Sequence, residues 1–291
     1  MRRFYLEGAD GQSYDLNGSR GVYATAPTGL GFTAGYSYAN LSAGFFAETS
    51  ANKLPQNSVA LTLNFVRPRQ YSRYKEFFDW LQRAARPLCL IYDTGEDQPY
   101  RRQINVSYVT KTEIGLDGLL KCPLSVTALT PWYRAAGTAL SVPSTEGSSI
   151  LRYSYRYNAA LRYGLDTRAA AAAEITAAGH DPASFLVRVP GPVDNPVISL
   201  RGSVSGRIYG RCSVETSIPV DSTLLLSTRY RDSFCVAEDE YGTRTDLLNA
   251  VDLSADPFFR APVDENSVLE IIADGAVTGA TAEINYYYRS V

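Results

Sequence analysis

The chain has 291 residues, is 45% hydrophobic and 20% charged, and carries a formal net charge of −2. These values describe a folded protein with room for two ordinary domains. They exclude a disordered chain and a nucleic-acid binder that works by neutralising phosphates. Positive charge is nearly all arginine, with lysine only at positions 53, 75, 111 and 121, which suits planar contacts at interfaces. No apolar run approaches the roughly 20 residues of a membrane helix. The arginine-containing start has no apolar stretch, so no secretory signal is expected.

Residues 3–66 read as short strands separated by turn chemistry. Phe4-Tyr5-Leu6 is a strand, Gly8-Ala9-Asp10-Gly11 a turn, and residues 14–16 a return limb closed by Asn17-Gly18. Thr28-Gly29-Leu30-Gly31 is a loop; with no Lys-Ser/Thr after it, it is not a phosphate cradle. The clearest strand is 58–66, where Val59, Leu61, Leu63 and Phe65 share one face and Ala60, Thr62 and Asn64 the other. The spacing of Tyr74, Phe77, Phe78, Leu81 and Ala84 or Ala85 predicts a helix over 71–85, capped by Ser72 and closed by Pro87. A buried strand follows at 88–92, then an acidic turn at 93–99.

Residues 100–129 predict a long hairpin. Its outward limb, 103–110, sets Ile104, Val106 and Tyr108 against Asn105, Ser107 and Val109; Gly115-Leu116-Asp117-Gly118 turns the chain. The return limb, 119–129, contains Pro123 and is therefore expected at an edge or bulge. Such a hairpin exposes strand edges unless something pairs with them. Pro131 ends the ladder, Trp132-Tyr133 are expected to pin two packed bodies together, and the small, polar run 135–148 has linker composition. The boundary predicted from this corner gives domains at 1–134 and 135–291, with Pro131, Trp132 and Tyr133 at the junction.

The second half is nearly all β, with strands expected at 150–157, 184–189, 196–200, 207–216, 223–230, 233–236, 268–272 and 280–288. In 207–216, Ile208, Gly210, Cys212 and Val214 are expected on one face. This spacing argues for a sandwich. The alanine-rich segment 168–178 is compatible with a short helix or with an irregular excursion.

No catalytic or metal-binding constellation emerges. Cys89, Cys122, Cys212 and Cys235 are widely spaced, and a single histidine, His180, lies in a Gly-His-Asp-Pro turn with no GxSxG elbow elsewhere. The cysteines read as buried small hydrophobes, and His180 as a solvated turn residue. Glu238-Asp239-Glu240 with Asp232 lacks the spaced pattern of a calcium loop. Tyr153, Tyr155, Tyr157 and Tyr163, with Tyr286, Tyr287 and Tyr288, could stack on sugar rings. Strand periodicity places them more simply in a core or an interface.

Taken together, the helix FFDWLQ with its PLCLIY strand, the hairpin, the ALTPWYR corner, the stretch ITAAGHDPASFLVRVPGPVDNPVISL and the ending DLSADPFFRAPVDENSVLEII…AEINYYYRSV resemble the distal tail proteins of long-tailed bacteriophages. The resemblance implies a tail-tube-like β-sandwich with one flanking helix and a long hairpin, followed by a galectin-like β-sandwich on the periphery. It implies a non-enzymatic hexameric ring in the virion tail tip, made in the host cytoplasm and needing no cofactor. The ring would join the tail tube to the tail-associated hub and to receptor-binding or fibre proteins, leaving a channel for DNA. On this reading Tyr108, Lys111, Glu113 and Asp117 of the hairpin are the candidate ring or tube contacts. The alternative is a carbohydrate-binding module that touches the host wall, disfavoured by the absence of a large insertion in the second domain.

Overall fold

A computed structural model describes residues 2–31, 38–40, 46–48, 56–141, 169–230, 232–274 and 277–291. The strand predicted over 150–157, and Tyr163, lie outside these residues. Contacts divide the chain into two units, Met1–Arg134 with Tyr287–Val291, and Ala135–Tyr286. The last five residues thus group with the first unit.

The first unit contains β1 (Arg3–Glu7), β2 (Ser13–Asp15), β3 (Val22–Thr28), β4 (Tyr38–Asn40), β5 (Phe46–Glu48), β6 (Ser58–Phe65), helix α1 (Gln70–Arg83), β7 (Leu88–Asp93), β8 (Tyr100–Val109), β9 (Leu120–Ala128) and the start of β10 (Trp132–Ala139). One arm of its sheet runs β8-β7-β1-β2 and the other β8-β9-β6-β3, so β8 is common to both. Tyr100–Ile104 pair with β7, whereas the residues from Ile104 onward pair with β9. Side chains from both arms and from the helix meet in one apolar core, which includes Leu6, Leu63, Phe65, Phe77, Leu81, Leu90 and Val126. The period-2 pattern of β6 is realised: Val59, Leu61, Leu63 and Phe65 are all buried. Asn64 is buried too, because its side-chain N–H donates to Thr25 Oγ1 at 2.8 Å and Tyr23 O at 3.2 Å.

The predicted helix is present, with two differences. Its N-cap is Arg69 in the left-handed region (φ 73°), with no side-chain cap, so Ser72 does not serve. Phe77 and Leu81 are the residues it buries, while Phe78, about 100° further round the helix, is 41% exposed. Burying a side chain such as Phe77 stabilises by about 1.5–3 kcal/mol relative to leaving it in water.

Pro123 also sits differently from its predicted edge or bulge. Strand β9 is flanked by β6 and β8. The carbonyl of Pro123 accepts from Thr110 N–H at 2.9 Å, so its missing N–H also faces β8, and it does so where that ladder ends. A central strand therefore tolerates this proline.

The second unit is a sandwich. It contains β11 (Ala169–Ile175), β12 (Asp181–Pro190), β13 (Val193–Gly202), β14 (Ile208–Ser213), β15 (Ser217–Ile218), β16 (Ser222–Arg229), β17 (Asp232–Asp239), β18 (Arg244–Asp246), β19 (Ser267–Asp274) and most of β20 (Thr281–Tyr288). One sheet is ordered β18-β17-β16-β12-β20-β10, the other β11-β19-β13-β14 with β15 beside β13. Phe185, Val187, Leu224 and Leu226 from the first meet Ile198, Leu200, Leu269 and Ile271 from the second in one core. The small, polar composition after Arg134 does not begin a linker at once, since β10 continues to Ala139.

The alanine-rich segment, open between helix and excursion on sequence, is strand β11, paired with β19 over its whole length. Ala171 and Ile175 are buried; the helix propensity of alanine yields to pairing with a hydrophobic strand. Ile208 is 65% exposed rather than sharing the face of Cys212 and Val214. A register shift between Leu200 and Arg201 puts Arg201 opposite Ile208 while Leu200 stays opposite Gly210, which turns Ile208 outward.

Candidate assembly surface

The hairpin of β8 and β9 exposes Tyr108 on its outward limb and Leu116 at its tip. A bulge between Val106 and Tyr108 sets its geometry: Val106 lies opposite Val126, Tyr108 opposite Ser125 and Val109 opposite Leu124. Residues directly opposite one another share a face. Val109 therefore joins Leu124 against the core, and Tyr108 turns outward, 54% exposed. The sequence pattern had put Tyr108 with Ile104 and Val106 because strict alternation cannot register an inserted residue. Beyond Ile104, no strand among the described residues pairs with β8 on the side that β7 occupies earlier.

The tip folds against the start of α1 rather than projecting freely. Tyr71 Oη donates to Glu113 Oε2 at 2.5 Å, and Lys111 Nζ lies 5.1 Å from the centre of the Tyr71 ring. The Glu113 hydrogen bond raises the Tyr71 pKa. Gln70 Nε2 donates to Gly118 O at 2.8 Å. Asp117 accepts from Leu119 N–H at 3.1 Å and pairs with Lys121 at 2.5 Å, and the Lys121 bond holds its carboxyl below the usual range. Gly118 has φ +74°, and a Cβ there would run into the Arg67 guanidinium. Three of the four predicted hairpin residues, Lys111, Glu113 and Asp117, are thus engaged in holding the tip, and Tyr108 stands apart on the strand. Around them the apolar side chains of Tyr71, Ile114 and Leu116 are exposed. Sequence reading missed Tyr71, Gln70 and Leu116: the first two reach the tip across more than 40 positions, which no local pattern signals.

Pro131, Trp132 and Tyr133 have contacts within the first unit. Trp132 is 2% exposed in its core, tilted against Tyr92 with ring centres 6.3 Å apart and covered by the Arg102 guanidinium at 5.3 Å. Arg102 is itself buried and donates from Nε to Thr130 O at 2.7 Å; burial lowers its pKa to about 10, which leaves it cationic at neutral pH. Tyr133 lies opposite Arg101, with its hydroxyl 3.9 Å from Cys89 Sγ and its ring edge-on to Tyr287 at 6.2 Å. Pro131 is half-buried at the bend between β9 and β10.

The remaining chemical candidates have structural roles. Tyr288 meets Tyr100 edge-on at 5.3 Å, and Arg134 lies over both rings. Tyr286 packs against the second unit's core. His180 is exposed at the bend before β12. Glu238 pairs with Arg244 at 2.7 Å, and Asp239 accepts from Tyr241 and Thr243 N–H groups to hold the β17–β18 turn. Among the described residues no group of three or more His, Cys, Asp or Glu side chains could hold a metal ion. No helix among them is long and apolar enough to cross a membrane.

Comparison with known proteins agrees with this architecture. Residues 3–129 match the family described as "Distal tail protein, N-terminal domain". Residues 130–291 lie outside that match. No curated protein matches the sequence. The fold is similar to a chain of the phage P2 baseplate in its activated conformation with calcium, at TM-score 0.67 and 15% identity over 100% of both chains. It is also similar to the distal tail protein (Dit) of phage SPP1, described as a paradigm of the hub adsorption apparatus in phages infecting Gram-positive hosts. There the TM-score is 0.59 and the identity 11%, over 97% of this chain and 98% of that one.

Proposed function

We propose that the chain is a non-enzymatic structural protein that closes into a ring of six through its first unit. The ring joins the tail tube to the tail-associated hub and fibre proteins, and DNA passes through its centre. The observation that carries this reading is the hairpin. Among the described residues it leaves Asn105 to Val109 of β8 without a strand on one side, turns Tyr108 outward, and presents Ile114 and Leu116 on a tip fixed to α1. A strand edge with a pre-shaped apolar tip suits head-to-tail association, in which two different surfaces of each copy meet and the ring closes without free ends. The number six and the identity of the neighbours come from the family resemblance. The second unit occupies the periphery on the same ground.

Native mass spectrometry of the purified chain over a range of concentrations tests the ring, with a six-copy species expected to grow as concentration rises. Only monomer at the highest concentration would count against it. Deleting residues 112–119 is expected to abolish that species while the second unit keeps its folded signature. A deletion variant that still assembles would remove the tip from the interface. Image averages of the assembly should show a central hole.

A further inference from the structure

Cys212 and Cys235 come from different sheets of the second unit. Cys212 lies on β14 opposite Ile198, and Cys235 on β17 opposite Leu226. Both are 0% exposed and belong to the same apolar core. The segment after β18 ties the two strands to each other: Leu247 N–H donates to Cys235 O at 3.0 Å and Asp252 N–H to Ser213 O at 2.9 Å, and the two thiols stand within hydrogen-bonding reach across the core. The other two cysteines are placed differently: Cys89 lies beside the Tyr133 hydroxyl on β7, and Cys122 lies opposite Leu63 on β9. Sequence spacing alone marks none of the four as a pair.

We infer that Cys212 and Cys235 form a disulfide that staples the two sheets of the second unit once the protein meets a thiol-oxidising medium. Two buried thiols on facing strands, each strand held by its sheet partner, need only a local approach to reach bonding distance. With a small-molecule disulfide as oxidant the step balances. One cysteine thiolate attacks a sulfur of the reagent, expelling one thiolate and forming a mixed disulfide. The second cysteine thiolate then attacks the protein sulfur and expels the other. Two protein thiols are oxidised, one reagent disulfide is reduced to two thiols, and the two protons end on those thiols. Access comes from local opening: β14 ends its sheet among the described residues, and edge strands open at lower cost than central ones. Once formed, the bond closes a loop between positions 212 and 235 and restricts the unfolded chain. The inference rests on the second unit's core and is independent of the ring.

The test uses the full chain, purified with reductant and then incubated with excess oxidised glutathione, with and without about 2 M urea to promote opening. Free thiols are then alkylated in denaturant and the protein is mapped by mass spectrometry. The expected result is a Cys212–Cys235 link with Cys89 and Cys122 alkylated. The second unit's unfolding temperature should rise by roughly 5–10 °C and fall back on reduction. The variant carrying Cys89→Ser and Cys122→Ser should give the same link; if it fails to fold, the map of the parent protein decides. Four alkylated cysteines after prolonged incubation, glutathione adducts without an internal link, or links through Cys89 or Cys122 at comparable yield would each overturn the inference.

Discussion

Both units end in an apolar tip at the apex of a two-strand turn, yet the two tips are held by different means. In the first unit, Leu116 stands on the β8–β9 turn, and that turn is tied to α1 by Tyr71–Glu113, Lys111 over Tyr71, and Gln70–Gly118. In the second, Val204 is 90% exposed on the β13–β14 turn, and one carboxylate gathers it beside the backbone bond from Ser203 N–H to Asn266 O. Glu265 accepts from Val204 N–H at 3.0 Å, Ser205 N–H at 2.6 Å, Ser205 Oγ at 2.8 Å and Tyr209 Oη at 2.6 Å. The first tip therefore depends on where a helix packs, and the second on the charge of one residue. The first should loosen whenever the first unit's core loosens; the second should respond to pH.

The largest expected effect comes from Trp132→Ala. Removing a buried tryptophan from the first unit's core should cost about 3–5 kcal/mol, because the Tyr92 ring and the Arg102 guanidinium lose the surface they pack on. Calorimetry should show one transition moving down strongly, and hydrogen exchange should speed up at residues 113–118 while residues 203–206 keep the parent rates. Equal acceleration at both tips would break the comparison. Next in size, Gly118→Ala places a side chain at φ +74° and against Arg67. The backbone part of this costs about 1–2 kcal/mol, and denaturant unfolding of the first unit should report a loss of that order. A neutral result would mean that the turn can adopt another path.

Glu265 provides the pH test. Its hydrogen bonds, the Ser205 N–H foremost, lower its pKa from 4.5 to about 2. A carboxyl whose folded pKa is lowered contributes its stability above the unfolded value and loses it as pH falls through the folded one. The gap in denaturant midpoint between the parent and Glu265→Gln should therefore be widest above about pH 5 and close as pH falls from 4.5 toward 2. A gap that is constant from pH 6 to pH 2 would assign the tip to packing instead.

The sequence announced elements well and their faces less well. Val59, Leu61, Leu63 and Phe65 appear where alternation puts them, because an uninterrupted strand leaves no freedom in which face is buried. Tyr108 and Ile208 were misplaced for one common reason: a bulge or register shift inserts a residue, and the period-2 reading cannot count it. The alanine-rich strand β11 was ambiguous because its conformation is decided by β19, nearly 100 positions away. The hairpin's existence was legible from its limbs and its Gly-Leu-Asp-Gly turn. Its attachment to α1 was not, since Tyr71 and Gln70 read locally as ordinary helix residues. Cys212 and Cys235 similarly carry no spacing signal, and only the stacking of two sheets brings them together.

The smallest effect, and the most discriminating, is expected from Tyr71→Phe. This change keeps the ring beneath Lys111 and removes only the hydroxyl that Glu113 accepts from. Because Tyr71 lies at the surface, the global unfolding transition should stay in place. Amide exchange at residues 113–116 should nevertheless speed up a few-fold, since one of the tip's ties is gone while Gln70 still holds Gly118. Gln70→Ala should act on the complementary part, residues 117–119. If Tyr71→Phe leaves exchange unchanged and Gln70→Ala loosens the whole tip, the amide is the tie and the phenol a passenger. The first tip would then depend, like the second, on one polar side chain, and the contrast between the units would reduce to the charge of that group.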